Sequence, residues 1–148
     1  MAIKLYYKEN DSYVEVTQTT PVSTTHDGKD GDTISVQLFI KNDDATKWYS
    51  TVTIRPIDKS TSSTTDDTIY SDTGWGVKLS PGSQEPTLSF WNSLDWGEMI
   101  SMGNIGIYGV ADISTYFPLW YLITCPPNTD AQTKQNISLK IEFTENAV

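Results

Sequence analysis

The 148-residue chain contains little cysteine, histidine or arginine, and each shortage excludes a class of protein. A single cysteine, Cys125, excludes an internal disulfide framework and any zinc or iron–sulfur site built from several cysteines. A single histidine, His26, excludes multi-histidine metal sites. Arg55 is the only arginine, and ten basic residues against nineteen acidic ones give a net charge of −9. Because phosphate binding draws on clusters of Lys and Arg, the sequence predicts no nucleic-acid partner.

Long apolar runs are also absent. The longest, around residues 117–123, is far shorter than the ~20 residues that a helix needs to cross a bilayer. Residues 1–10 lack the apolar core and small-residue cleavage site of a signal peptide. We therefore expect a protein made in a cytoplasm, with no membrane partner.

The composition is 37% hydrophobic and 11% aromatic, which favours a packed core over a disordered acidic chain. Its length predicts one domain over residues 1–148.

Apolar and polar residues alternate along residues 34–40, which predicts a half-buried strand with only Phe39 apolar on its outer face.

The same alternation predicts a series of short strands. The clearest strands span residues 34–40, 50–54 and 137–143. Weaker strands span residues 3–7, 13–17, 77–79, 88–90 and 105–110. Pro56 is expected to end its strand, and residues 92–100 are expected to hold one helical turn with Asn92 or Ser93 as its cap. We predict an all-β, two-sheet antiparallel β-sandwich of immunoglobulin-like type, with a jelly roll or small barrel as the alternative.

Three connecting or central segments carry further expectations. The polar residues 41–47 predict either a hairpin or a crossing between sheets, and about residues 59–68 predict a mobile polar loop. Residues 118–125 are apolar on both faces, which indicates a central strand covered on each side or one face kept for a partner.

Two polar clusters and one dyad are the candidates for chemistry. Asp27, Asp30 and Asp32 could offer oxygen ligands to calcium, although Gly/Asp turn chemistry before a strand explains the same residues. His26 and Cys125 are the only conventional base and thiol nucleophile. Cys125 precedes two prolines at a strand end, which favours a buried hydrophobe over an activated thiol.

An acidic pair, Asp95 and Glu98, flanks Trp96 in the manner of a glycoside hydrolase, but nothing in the sequence singles out a proton donor. We therefore expect no catalytic residues, no cofactor and no metal, and the chain is not expected to be an enzyme.

Five tryptophans and eight tyrosines are the most unusual feature of the composition. Trp75, Trp91 and Trp96 stand in turn-like contexts, where they could cap the core, anchor a protein interface or stack on sugar rings. Trp120 completes the set of predicted partner-binding residues.

Residues 26–54 combine a Gly-Asp turn, a strand, an Asn-Asp turn and a Tyr-bearing strand. This pattern resembles small structural proteins of tailed bacteriophages and prophages. Residues 117–141 combine an aromatic-Pro start, a Pro-Asn-Thr turn and a final alternating strand. They look like the last two strands of phage immunoglobulin-like domains.

The resemblance implies a virion component, either a capsid decoration or cement protein or a module of the neck, tail or baseplate. Its partners would be other virion proteins, with self-association as a further expectation, and its location would be the virion. The tail after Phe143 is expected to be available to a neighbour. The alternative function is a carbohydrate-binding module that attaches a phage to a host glycan.

Overall fold

The computed structural model describes residues 3–17, 19, 21–58, 67–68, 75–127 and 137–148. Its regular structure is almost all β. The elements are β1 (Ile3–Glu9), β2 (Ser12–Glu15), β3 (Asp32–Asn42), β4 (Lys47–Asp58), β5 (Asp67–Thr68), β6 (Gly76–Pro81), α1 (Leu88–Asn92), β7 (Ile100–Ile105), β8 (Phe117–Cys125) and β9 (Ile137–Ala147).

The strands form two antiparallel sheets that pack together. One sheet has the order β2-β1-β3-β8-β6. The other is built on β4, which pairs with β9 along one edge and with β7 and β5 along the other. The predicted two-sheet antiparallel β-sandwich is therefore confirmed.

The core lies between the sheets and follows the predicted alternation. Leu38 and Ile40 of β3 are buried beside Leu119 of β8, while Val52 and Ile54 of β4 face them from the other sheet. The apolar side chains at alternate positions of β3 and β4 thus face the core, and the positions between them lie on the outer faces of the sheets.

The connection between β3 and β4 is the crossing between sheets, one of its two predicted forms. Asn42 is completely buried there, and its amide Nδ2 donates to the carbonyl oxygens of Asp44 (3.2 Å) and Lys47 (3.1 Å). Its Oδ1 accepts from the Asp44 N–H at 2.8 Å. One buried amide therefore satisfies the backbone groups that the change of sheet leaves without strand partners.

Several element predictions were wrong. The helical turn expected over residues 92–100 lies earlier in the chain, because α1 ends at Asn92 and Ser93 is its C-cap. Residues 88–90 are helical, because the side chain of Thr87 caps α1 by accepting from the Phe90 N–H. β4 continues through Pro56, which lies between the residues paired with β7 and those paired with β5, where a missing N–H is tolerated.

Two further predictions concern the loop and the tail. The predicted loop at about residues 59–68 falls largely outside the described residues, and Asp67–Thr68 within it form β5. The tail after Phe143 is not free, because β9 continues to Ala147 opposite Lys47. One edge of this part of β9 pairs with β4.

A cover segment, residues 82–97, lies on the outer face of the five-stranded sheet at β8 and β6. The Ser83 carbonyl accepts from Gln37 Nε2 and Trp120 Nε1, each at 3.2 Å, and Ser35 Oγ donates to Glu85 at 2.6 Å. The two-faced apolar character of residues 118–125 follows, since β8 has the core on one side and this segment on the other.

Candidate functional site

The cover segment leaves part of the outer face of the five-stranded sheet open. This part carries a cluster of rings and ammonium groups, here named the tyrosine–lysine patch. It consists of Tyr6, Lys8, Tyr13, Phe39, Lys41 and Tyr116. Strand register places them together, because Tyr6 lies opposite Phe39 while β2 folds back along β1. Tyr116 reaches the face from the loop before β8.

The rings of the patch hold each other in place. Tyr13 stacks on Tyr116 with ring centroids 3.6 Å apart, and it meets Phe39 edge-to-face at 5.0 Å. Tyr6 approaches Tyr116 edge-to-face at 5.3 Å. Such pairs contribute about 0.5–1.5 kcal/mol each beyond area burial, so the patch is a fixed surface.

The ammonium groups stand over these rings. Lys8 Nζ lies 5.0 Å from the Tyr13 centroid and Lys41 Nζ lies 5.6 Å from the Tyr116 centroid, both within cation–π range. Within the described part of the chain, neither ammonium is within ion-pair distance of a carboxylate. Two ammonium groups thus stand over the rings on one face of an acidic protein.

A third lysine at the margin of the patch is already paired. Lys4 Nζ lies 2.7 Å from Asp43 and 3.9 Å from Glu15. The hydrogen bond and charge of Asp43 raise the pKa of Lys4. Desolvation, followed by the charge of Glu15, raises the pKa of Tyr6 beside it. Lys4 is therefore less available to a ligand than Lys8 and Lys41.

A cleft of about 570 Å³ adjoins the patch and shares Lys8 and Phe39 with it. Its other walls are the end of β1 and the segment Pro21 to Ser23, which runs beside β3 where β1 has ended. A chain-like ligand lying on the rings would have space to continue into this cleft.

The second exposed feature is a tight hairpin, residues 107–110, directly after β7. Ile107 and Val110 exchange both backbone hydrogen bonds, at 3.0 and 2.9 Å. The exposed fractions are 63% for Ile107, 88% for Tyr108 and 54% for Val110, and Ile113 beyond the turn is 43% exposed. These four side chains are named the apolar hairpin.

Backbone chemistry holds the apolar hairpin in position. Gly106 has a φ of +82°, and a Cβ there would lie 2.6 Å from the Val110 oxygen and 2.9 Å from Trp48 Cβ. Asp112 caps the following turn by accepting from the N–H groups of Ser114 and Thr115. The Thr115 side-chain hydrogen bond leads the contacts that lower the pKa of Asp112.

The four tryptophans predicted to bind partners lie in different surroundings. Trp91 is the buried residue of α1, with 4% of its surface exposed, and Trp120 donates to the cover segment. The Trp96 ring lies 4.4 Å below the buried Lys78 ammonium, and Trp75 meets His26 edge-to-face at 5.5 Å. Three of the four therefore help to fasten the cover segment, and their role toward a partner stays a prediction.

His26 and the aspartates before β3 form a hydrogen-bonded turn. His26 Nδ1 lies 2.5 Å from Asp32 Oδ1, and its Nε2 lies 2.7 Å from the Thr24 hydroxyl. Asp27 Oδ1 accepts from the N–H groups of Lys29 and Asp30. Desolvation of Asp32 is outweighed by hydrogen bonds from the Asp27 N–H and the His26 ring, so the pKa of Asp32 is lowered.

This turn bears on two of the chemical candidates. Both ring nitrogens of His26 are engaged, while the buried Cys125 thiol contacts the Pro126 oxygen at 3.5 Å. In the described part of the chain, no three His, Cys, Asp or Glu side chains gather closely enough to hold a metal ion. Asp95 and Glu98 are both exposed, on either side of Trp96.

The chain matches no protein-family model, no curated protein and no solved structure. No helix among the described residues is long and apolar enough to span a membrane.

Proposed function

We propose that this chain is a non-enzymatic structural protein of a tailed-phage virion that binds other virion proteins through the apolar hairpin. The observation that carries the binding role is a backbone-fixed turn with three large apolar side chains in solvent, followed by the exposed Ile113. Exposed apolar clusters of this kind are typical of protein interaction sites. The assignment to a virion is supported by the sequence resemblance of residues 26–54 and 117–141.

The hairpin suits docking because its backbone loses little conformational freedom on binding. Its two hydrogen bonds and the Gly106 contact fix the backbone in advance. Tyr108 at the tip supplies a large rigid ring with few rotatable bonds, the kind of side chain that dominates interface energetics. The partner is expected to offer an apolar pocket on a larger virion protein, since a turn fills a concave site.

The test is incorporation into particles. Mass spectrometry of purified particles from the encoding phage or prophage is expected to detect this polypeptide, and its absence would contradict the proposal. Tyr108→Ser is expected to lower incorporation at least about tenfold, as a centrally placed interface ring would. Leu88→Ser is the matched control, because Leu88 is 74% exposed on α1, outside the hairpin.

A second candidate function, a carbohydrate-binding adhesion module, is favoured by the tyrosine–lysine patch. The rings would stack on pyranose faces. The Lys8 and Lys41 ammonium groups, which lie outside ion-pair distance of every described carboxylate, would attract carboxylate-bearing sugars. A glycan array and fluorescence titration test this function. Binding of a defined sugar that is lost in Tyr13→Ala but kept in Tyr108→Ser supports adhesion, and silence of the native chain on the array rejects it.

A further inference from the structure

Among the described strands, β9 lies at the edge of the second sheet. It pairs with β4 from Ile137 to Ala147, and among the described strands it has no neighbour on its other edge. An open edge presents a row of unpaired N–H and C=O groups, which is a template for another strand.

Some of the devices that protect a sheet edge are missing from β9, although the strand carries the charged residues Lys140 and Glu142. The strand contains no proline, and the irregularity in its pairing with β4 lies in the partner, where Thr51 has a φ of +51°. β9 itself keeps its alternation across the bulge, with Leu139, Ile141 and Phe143 packed against the core. The open edge is therefore long and regular.

We propose that the occupant of this edge is β9 of a second copy, paired antiparallel about a two-fold axis at Ile141. The sequence of the strand is self-complementary in that register. Lys140 lies opposite Glu142 of the second copy, and Glu142 opposite its Lys140, on the outer face. Leu139 lies opposite Phe143 on the inner face, so each core continues into the other.

Neighbouring registers are disfavoured by the same charges. Moving the centre to residue 140 would place Lys140 opposite itself, and moving it to residue 142 would place Glu142 opposite itself. Like charges directly opposite each other destabilise a sheet, so the charge pattern disfavours both adjacent registers.

Glu142 can take part in this pairing without leaving its own chain. It accepts from Arg55 Nε at 3.3 Å, and its side chain remains 51% exposed. The expected arrangement is a row of alternating charges, with Glu142 between Arg55 and the lysine of the second copy. This inference goes beyond the proposed function and does not depend on it.

An edge-to-edge contact is small, so the dimer is expected to depend on concentration. Sedimentation velocity over a wide range of concentration is expected to show a reversible monomer–dimer equilibrium of the native chain. Lys140→Glu and Glu142→Lys each place like charges opposite one another twice. Each is expected to weaken dimerisation at least about tenfold.

Mixing the two single variants is the decisive measurement. The Lys140→Glu chain carries two acidic residues where the Glu142→Lys chain carries two lysines, so the mixture restores both attractive pairs. A heterodimer in the mixture, together with monomeric single variants, supports the proposal. A monomeric native chain, undiminished single-variant dimers or a monomeric mixture would each overturn it.

Two controls keep the result tied to β9. Lys29→Glu and Glu98→Lys make the same charge changes at exposed positions outside the strand, and they are expected to dimerise like the native chain. Hydrogen exchange of the native chain supplies a readout without substitutions. Slower exchange of β9 amides at high concentration supports the pairing, and unchanged exchange contradicts it.

Discussion

The outer face of the five-stranded sheet is divided into two halves that use the same chemistry in opposite ways. Over β6 and β8, Lys78 is 6% exposed, lies above the Trp96 ring and donates to the Trp91 carbonyl at 3.0 Å. Over β1 and β2, Lys8 lies above the Tyr13 ring in contact with solvent. The difference is the cover segment, which crosses only the first half.

Whether a ring–ammonium pair is structural or available to a partner depends on the chain segment above it. The cover segment lies over Lys78 and the tryptophans around it, so these side chains contact other parts of the same chain. Lys8 is exposed and Tyr13 keeps 38% of its surface in solvent although Tyr116 stacks on it, so both retain surface that is available to a ligand. The contrast predicts a graded series of stability effects.

The largest effect is expected for Trp91→Ala. Loss of this buried ring should lower the free energy of unfolding by about 3–5 kcal/mol, because a cavity opens and Lys78 loses its cover. Denaturant unfolding measures it, with Leu88→Ala on the exposed side of α1 as the control. A loss no larger than that of the control would abolish the contrast between the two halves.

The next largest effect is a loss of stability at alkaline pH, caused by Tyr121 on the inner face of the same sheet. Burial raises the pKa of Tyr121 to about 12 from an ordinary value of 10. The folded protein therefore holds this proton more tightly than the unfolded chain. Stability is intact below pH 10 and falls as the pH rises to 12, by roughly 2–3 kcal/mol in total.

Tyr121→Phe tests this expectation, because it removes the ionisable group and leaves the ring. The variant should lose the latest step of the phenol titration and show a shallower fall of stability above pH 10. A late ionisation step that persists in the variant would assign the burial to another tyrosine.

A smaller effect is expected for Tyr13→Ala in the uncovered half. The variant loses the stacked contact with Tyr116 and the edge contact with Phe39, so stability should fall by about 1–2 kcal/mol. Tyr108→Ala is the matched control, because that ring is 88% exposed and should change stability by less than ~0.5 kcal/mol. Equal losses in the two variants would show that the patch rings do not support one another.

The smallest effect is expected for Lys8→Gln, which removes the charge above Tyr13 and Phe39 but keeps a polar chain of similar reach. An exposed cation–π contact contributes about 0.5 kcal/mol, so thermal stability should change little. A loss as large as that of Tyr13→Ala would mean that Lys8 is structural, like Lys78.

The outer face also shows where the sequence was informative. Alternation along β3 singled out Phe39 as an apolar residue on the solvent side, and the structure makes it the 6% exposed base of the tyrosine–lysine patch. Tyr116 gave no such signal, because it enters from a loop and joins the patch only through the fold. The apolar hairpin was mistaken for a strand, although Gly106 and Gly109 marked the turn.

The tryptophans illustrate the opposite error. Trp91 and Trp120 stood out by residue type, yet they fasten residues 82–97 to the sheet. Composition identifies large rings but cannot distinguish a ring that meets its own chain from one that meets a partner. That distinction depends on contacts between residues far apart in sequence.

By itself, the sequence determined that the chain forms antiparallel strands with one apolar face each, because a period of two in hydrophobicity has only that solution when a core must form. The tertiary structure alone decided which outer surfaces stay open, through the crossing at Asn42 and the path of the cover segment. The reason is that local periodicity fixes the direction of each side chain, whereas exposure depends on what distant residues place above it.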